Sequence, residues 1–580
     1  MAVYRSDQAQ LTFATEAAQG GDPEMMEGTP ETSSGGSTTI NAAFDAGSRS
    51  ITVASATNFT VGDQIRIGTV AGSAASTVHE HEVRRIESIS GTTFILDRPT
   101  AFYHPSGQDV KEINAIGGAG GRNDDNKFIT YIPGVYETVD TPDPEMSIEG
   151  RRFLGTQSKR NWSVAYPGQQ TLSGSVSGIV LLNGWPLRFP IGKVVTTPSS
   201  LTGGSLTMAA AKKGDIYITA SAGTGLAVGD YINIDDGSTT ISEVRRLIAN
   251  PSTSSPFVWK LNAPLQFDHN SGTTSIDKVS AGATYTHTIE ETVDLDTVSW
   301  HIHMRDSSET AANDFDRRYV GGMIGSSTIS AEEGGLVTMS WDSVNFLDMV
   351  HNQQLQTNSQ LFSGANPTAN MPRFGLMQKI DSDDVGEPGK NDATGYPTTE
   401  PYYFSNGTVK FYGQEVARMR SFSLSIANGE EPRYYIGRQG DRHRGPYEIR
   451  EGAREYSMSA SLALPDTVAA NSNSQAGALE LFKQLLLEGH YGGGAANNAR
   501  TGFTASLVFE RGANDKITID IPGSTTAGSP TTPSHALNSQ GLFINSAPHN
   551  LTTDNPFQVD ADLIFRKLKI TIEDSVPVYP

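Results

Sequence analysis

A chain of 580 residues, 37% of them hydrophobic and 8% aromatic, has the material for several packed cores and too much of it for an unfolded polymer. Its 64 acidic against 43 basic residues, a formal charge of −21, argue against tight non-specific binding to phosphate backbones and suit a surface that stays soluble when crowded. The absence of cysteine removes disulfides, thiolate metal sites and a cysteine nucleophile.

Taken in chain order, the start "MAVYRSDQAQLTFATEAAQGG" lacks the apolar core of a secretory signal, and no run of about 18 apolar residues follows anywhere. The expectation is a chain made and kept soluble, with no membrane partner. Short alternating stretches then dominate: "RSITVAS", "DQIRIGTV", "TTFILDR", "DIYITA", "TVSWHIHM", "LVTMSWDSV", "FSLSIA", "TASLVFE", "DKITIDI" and "DLIFRKLKITI". Each is bounded by Gly, Asn, Asp, Pro or Ser and reads as a strand. One segment is strongly helical, "ALELFKQLLLEG" at 478–489, with Leu479, Leu481, Phe482, Leu485 and Leu486 at helical spacing and Gly489 as a stop. A weaker helix is expected at 178–187. The fold class is therefore mainly β with a flanking helix.

A long repeat organises the chain. "ITVASATNFTVGD" (51–63) returns as "ITASAGTGLAVGD" (218–230), followed in both places by "EVRR" and then by "LDRPTAFYH" or "LNAPLQFDH". Order is kept while connecting lengths change, which marks a repeated domain. The repeat defines two small β-domains of SH3-like or immunoglobulin-like size, the endings Pro99, Phe102, His104 and Pro264, Phe267, His269 reading as a shared closing strand. With these removed, the remaining pieces also resemble each other. "TLSGSVSGIVLLNG" and "YSMSASLALP" each open a strand–helix–strand scheme, closed by "VSWHIHMRD" in the first case and "TASLVFERG" in the second. The expected organisation is a first unit at 1–38, 116–197 and 279–345, interrupted by inserts at 39–115 and 198–278. A polar, turn-rich arm at 346–400 and a second unit at 401–580 complete it. Insertion in exposed hairpin loops keeps host ends close and is tolerated.

The search for chemistry finds little. "HEHE" (His79–Glu82) and His301 with His303 place imidazoles at alternate strand positions, but no third convergent ligand is named, and the second copy of the repeat has neither His79 nor His81. "DSDDVGEPGKND" (381–392) begins like a calcium loop at Asp381, Asp383 and Gly386, yet carries Val385 at the fifth position and Asp392 at the twelfth, and reads as a solvated acidic loop. No nucleophile elbow, zinc-protease motif or phosphate loop occurs, and no carboxylate pair stands out. The expectation is no enzyme, no cofactor and no metal. One basic-aromatic patch remains at 432–452. There Arg433, Arg438, Arg442, His443 and Arg444 lie beside Tyr434 and Tyr435 and among Asp441, Glu448 and Glu451. Stacking on nucleic acid is one reading. An assembly-contact loop that meets acidic groups on a neighbouring copy is the favoured one.

The succession "LTFATEAAQGG", "RRYVGGMIGSSTISAEEGGLVTMSWDSV" and "FSLSIANGEEPRYYIG…GPYEIREGAREYSMSASLALPD…ALELFKQLLLEG" resembles the tail tube (major tail) proteins of long-tailed, siphovirus-type phages and related viruses, over most of the host units. The resemblance implies a virion protein assembled in the host cytoplasm, whose rings stack into a hollow tube around a tape measure protein. It implies further partners in the tail terminator and the tail-tip or baseplate proteins, and DNA that passes through the lumen without specific binding. A chain holding two tube-like units would make a ring from three copies, as a pseudo-hexamer, in preference to six. Both inserts depart from the family pattern and are read as decorations of the exterior of a non-contractile tail. Rival readings are a virion surface adhesin and, behind it, a glycan depolymerase.

Overall fold

The computed structural model describes residues 4–20, 36–68, 82–112, 135–151, 164–306, 315–351, 400–435, 445–463, 505–521, 542–550 and 558–580, apart from a few positions within them. The protein is mainly β, built from several sheets. The helix expected at 478–489, the arm at 346–400 (but for its first six residues and its last), and the acidic loop at 381–392 lie outside the described residues. The weaker helix begins later than expected. Residues up to Val180 belong to a strand, and the chain then turns through a 3₁₀ turn, Trp185–Leu187, into the single helical turn α1, Arg188–Ile191. Pro186 sits in the first turn, where its missing N–H costs nothing.

Outside the two repeated segments the strands run β1 (Tyr4–Thr15), β2 (Thr138–Asp140), β3 (Glu145–Arg151), β4 (Val164–Thr171), β5 (Ser173–Val180), β6 (Gly192–Pro198), β7 (Tyr285–Glu291), β8 (Val298–Asp306), β9 (Phe315–Glu332), β10 (Thr338–Asn345) and β11 (Asp348–His351). After the arm come β12 (Gly407–Phe411), β13 (Met419–Ala427), β14 (Glu431–Arg433), β15 (Glu448–Arg450), β16 (Glu455–Ala463), β17 (Ala505–Gly512), β18 (Asp515–Ile521), β19 (Leu542–Ser546), β20 (Gln558–Phe565) and β21 (Lys569–Asp574).

Two sheets form the body. The larger runs β19-β20-β16-β13-β9-β10-β5-β2, with β8 and β11 along the first half of β9 and β1 beyond β8. The second runs β6-β7-β21-β18-β17-β12, with a two-residue seventh strand, Gln414–Glu415, paired to β12 at its end. Period-two alternation explains their packing: in β13 Phe422, Leu424 and Ile426 are buried, and in β16 Tyr456, Met458, Ala460 and Leu462 are. Those side chains meet Ile289, Leu507, Phe509, Ile517, Ile519, Ile570 and Ile572 of the second sheet in one core. Phe13 meets Trp185, Trp300 and Trp341 edge-on in the same core, its ring 4.8 Å from that of Trp341.

The connectivity of the body repeats. β2 and β5 are antiparallel neighbours with the two-stranded ribbon β3–β4 between them in sequence, as β13 and β16 are with the ribbon β14–β15. Each path then crosses to the second sheet for an antiparallel pair, β6–β7 or β17–β18. Each returns to the large sheet for another, β9–β10 or β19–β20, whose last strand pairs with β5 or β16. The counterpart of "TASLVFERG" in β17 is thus β6, and not the "VSWHIHMRD" strand β8. The seam that joins the two paths is β9 on β13, from Ser326 opposite Ala427 to Glu332 opposite Ser421.

Segments 36–112 and 199–280 each form a six-stranded sheet over a separate core. Counting strands within each segment, both sheets have the order first, sixth, third, fourth, fifth, second. The shared "VGD" turn is closed alike, with Asp63 accepting from the N–H of Thr60 (2.6 Å) and Asp230 from that of Ala227 (2.8 Å). The second segment lies between β6 and β7, where the other path has only the short turn from Gly512 to Asp515.

Candidate functional site: the hydroxyl-lined face of the large sheet

Because alternate residues of β13, β16 and β20 fill the core, the others share the opposite face. Register aligns them into rows across strands. One row reads Asp562, Ser459, Ser423, Ser330, Thr338, and the next Asp560, Ser461, Ser421, Glu332. A third continues Ile564, Ser457, Ser425, Thr328, Ser340. The first row spans about 19 Å at the usual strand spacing. Hydroxyls and carboxylates bond to each other across strands: Ser461 Oγ donates to Asp560 (2.9 Å), Ser546 Oγ to Asp562 (2.7 Å) and Thr328 Oγ1 to Asp342 (2.6 Å). Partial burial raises the pKa of Asp342, opposed by the Thr328 hydroxyl. An open trough of about 610 Å³ runs over this face, lined by Glu137, Ser330, Glu332, Ser421, Ser459 and Asp560 among others. At the margin, Arg420 pairs with Glu333 at 3.1 Å. The rows themselves carry no lysine or arginine.

The face was not among the residues singled out by sequence. Its signal was present in the alternating serines of "FSLSIA" and "YSMSAS", but only cross-strand register assembles them into one surface. Of the predicted contact loop, Arg433 lies exposed on β14, its guanidinium 2.8 Å from Glu431. Arg450 pairs with Glu448 at 2.8 Å, and Tyr435 Oη donates to Glu448 at 2.7 Å. Arg438, Arg442, His443 and Arg444 lie outside the described residues, as do His79 and His81. His301 and His303 occupy alternate positions of β8, opposite Thr12 and Gln10. Among the described residues no group of three or more His, Asp or Glu is placed to hold a metal.

Four carboxylates, Glu16, Glu82 and Glu243 buried and Glu430 partly so, tie elements together within the body and the inserts. Glu16, at the "TEAAQGG" turn after β1, accepts from Gly20 N (2.9 Å), Thr297 Oγ1 (2.8 Å), Ser299 Oγ (2.7 Å) and Gly321 N (2.8 Å), tying β1, β8 and the bend of β9 together. Gly321 has φ +70°, and a Cβ there would lie 2.5 Å from Leu347, so the bend requires glycine. Glu430 sits beside the seam. Ser343 Oγ and Asn345 Nδ2 donate to it at 2.8 and 2.5 Å, and burial pushes its pKa up to about 7. In the two inserts, Glu82 and Glu243 are fully buried, each salt-bridged to an arginine (Arg84, 2.5 Å; Arg245, 2.6 Å) and hydrogen-bonded to a histidine ring (His104, 2.7 Å; His269, 2.8 Å). Burial opposes ionisation of both carboxyls, but arginine and histidine together hold their pKa values below the ordinary glutamate range. The paired histidines of the repeat are internal ties.

A two-sheet β body with one long uncharged-to-acidic face is the class of protein that the fold defines. The sequence profile of the phage tail tube protein family matches residues 157–534, and the chain belongs to that family of structural virion tail components. No curated protein matches the chain.

Proposed function

We propose that three copies of this chain form each ring of the tail tube, as a pseudo-hexamer. Rings stack around the tape measure protein, the hydroxyl-lined face forms the lumen, and the two inserts stand outside. The observation that carries this reading is the repeated path in the large sheet. β9 corresponds to β19 and β13 to β2, so the internal seam β9–β13 has an unfilled equivalent: β19 of one copy on β2 of the next. β19 and β2 are the two ends of the sheet. Edge strands invite pairing, and closure into a barrel removes them. Each copy then contributes eight strands, four from each path.

The face suits passage of DNA. Carboxylates repel phosphate, and the described rows offer hydroxyl hydrogen bonds that water exchanges readily, with no lysine or arginine within them to hold a phosphate in place. The tail terminator and tail-tip proteins would cap the two ends of the tube, and assembly would take place in the host cytoplasm. The ribbon loop with Arg433, Arg438, Arg442, His443 and Arg444 meets acidic groups of a neighbouring copy.

Electron microscopy of concentrated protein tests the reading, with hollow tubes and threefold rings expected. Rings of six chains, or particles that stay small when seeded with tail tips, would overturn it. Arg433→Ala is expected to slow tube growth while changing stability by less than about 1 kcal/mol, since its ion pair with Glu431 is exposed.

A further inference from the structure

The two ribbons share a design and differ in their cover. In β14–β15, Pro432 lies opposite Ile449, while Glu431, Arg433, Glu448 and Arg450 occupy the other face. In β3–β4, Pro167 lies opposite Ile148 and Ala165 opposite Gly150, while Glu149 and Arg151 share the other face with Tyr166 and Val164. Glu149 and Arg151 pair there at 2.7 Å. Each ribbon therefore carries its ion pairs on one face and an isoleucine opposite a proline on the other. Ile449 is 3% exposed, because the turn after β1 lies on it: Gln19 Nε2 donates to Ile449 O, and Ile449 N donates to Gln19 Oε1, both at 3.0 Å. Leu295 N also donates to Glu451, just past β15. These covering residues come from across the β9–β13 seam. Ile148 is 66% exposed, and Ala165 is exposed beside it.

We infer that the Ile148–Ala165 face of the β3–β4 ribbon is a docking surface for a second copy of this chain. The occupant follows from continuity. The ribbon springs from β2, an end strand of the large sheet, as the covered ribbon springs from β13 at the internal seam. What lies across the internal seam covers Ile449; what lies across the β2 edge, on the ring reading above, is another copy. The inference rests on that reading for the identity of the partner. A two-stranded ribbon is marginal in water without packing on one face, so a bare apolar face is the feature to be covered on assembly.

The chain has no cysteine, so a single introduced thiol reports on one position alone. Ile148→Cys and, on the opposite face, Tyr166→Cys are made in the full chain. Maleimide labelling is timed in dilute protein and in the pelleted assembly. Burial is expected to slow labelling at position 148 by roughly tenfold or more on assembly, and at position 166 by less than about twofold. Pelleted tubes in which position 148 labels as fast as in dilute protein would overturn the docking surface and leave the tube reading standing. Protection of position 148 in small oligomers that never pellet would uphold the surface and sink the tube reading. Labelling at 148 that is independent of concentration, with no polymer formed, would overturn both.

Discussion

The two inserted segments have nearly the same interior and different attachments. Both share one strand order, one Asp-closed turn and one buried Glu–Arg–His tie. The first meets the body through Arg84 Nη2 on Gly20 O (3.0 Å) and the approach of Tyr447 to Gly47. The second shares a buried cluster with it, Val244 and Val279 packing on Tyr285 and Val578. Further bonds join the second insert to the body: Ser242 Oγ to Thr196 O (2.9 Å), Val194 N to Gln266 Oε1 (2.9 Å) and Lys213 to Asp296 (2.8 Å). Tyr579 anchors that joint, stacked on His287 with centroids 3.7 Å apart, its hydroxyl donating to Asp574 at 2.5 Å. Among the described residues, the same fold is thus tied to the body through polar contacts in one place and through a shared buried cluster in the other. Sequence likeness between repeats fixes the interior of a module without fixing how it is mounted.

The comparison is broken most severely at Tyr579. Tyr579→Ala removes a fully buried ring and is expected to cost about 3–5 kcal/mol. Chemical denaturation should show the loss in the body and the second insert, with the first insert's transition unmoved. An equal shift in the first insert would refute the difference in mounting.

The likeness of the interiors is tested by Glu82→Gln and Glu243→Gln. Each leaves an arginine and a histidine without their carboxylate and is expected to cost about 3 kcal/mol in its own segment. Because both folded carboxyls titrate below their unfolded value of 4.5, the stabilisation they bring is present above that pH and is lost as pH falls through the lower folded value. Acid melts of the two segments should therefore converge, and each glutamine variant should lose its acid dependence in that window. A variant that keeps its acid melt would place the ties elsewhere.

Glu430 gives the smallest effect and the opposite sign. Its folded pKa of about 7 lies above 4.5, so the body takes up a proton on folding between those values and loses stability as pH rises from about 4.5 to 7. The change is about 1–3 kcal/mol, and Glu430→Gln should flatten it. Melting temperatures of the two chains at pH 5 and pH 7.5 decide this.

Much of the fold was legible because its signals are local. Alternation in "FSLSIA" or "DKITIDI" is enforced by the two-residue period of a strand, and the matching strings at 51–63 and 218–230 disclosed the repeated segments. The likeness of "TLSGSVSGIVLLNG" to "YSMSASLALP" also fell on corresponding strands, β5 and β16. The next correspondence was hidden. β6 and β7 form a hairpin split by the second insert, so the partner of β6 lies far along the chain, and β8 was matched to β17 in its place. The candidate face was half legible: serines at every second position are visible, but nothing local says that Ser423 stands between Ser330 and Ser459.

By itself, then, the sequence determined the β class, the repeated segments, the acidic balance and the kinship to tail tubes, because short-range periodicity and order along the chain carry them. The tertiary structure alone decided which hydroxyls share a surface, how each insert is mounted, and why Ile449 is covered while Ile148 is bare. Those outcomes rest on hydrogen-bond register and packing between residues up to hundreds of positions apart, and local sequence does not encode such pairings.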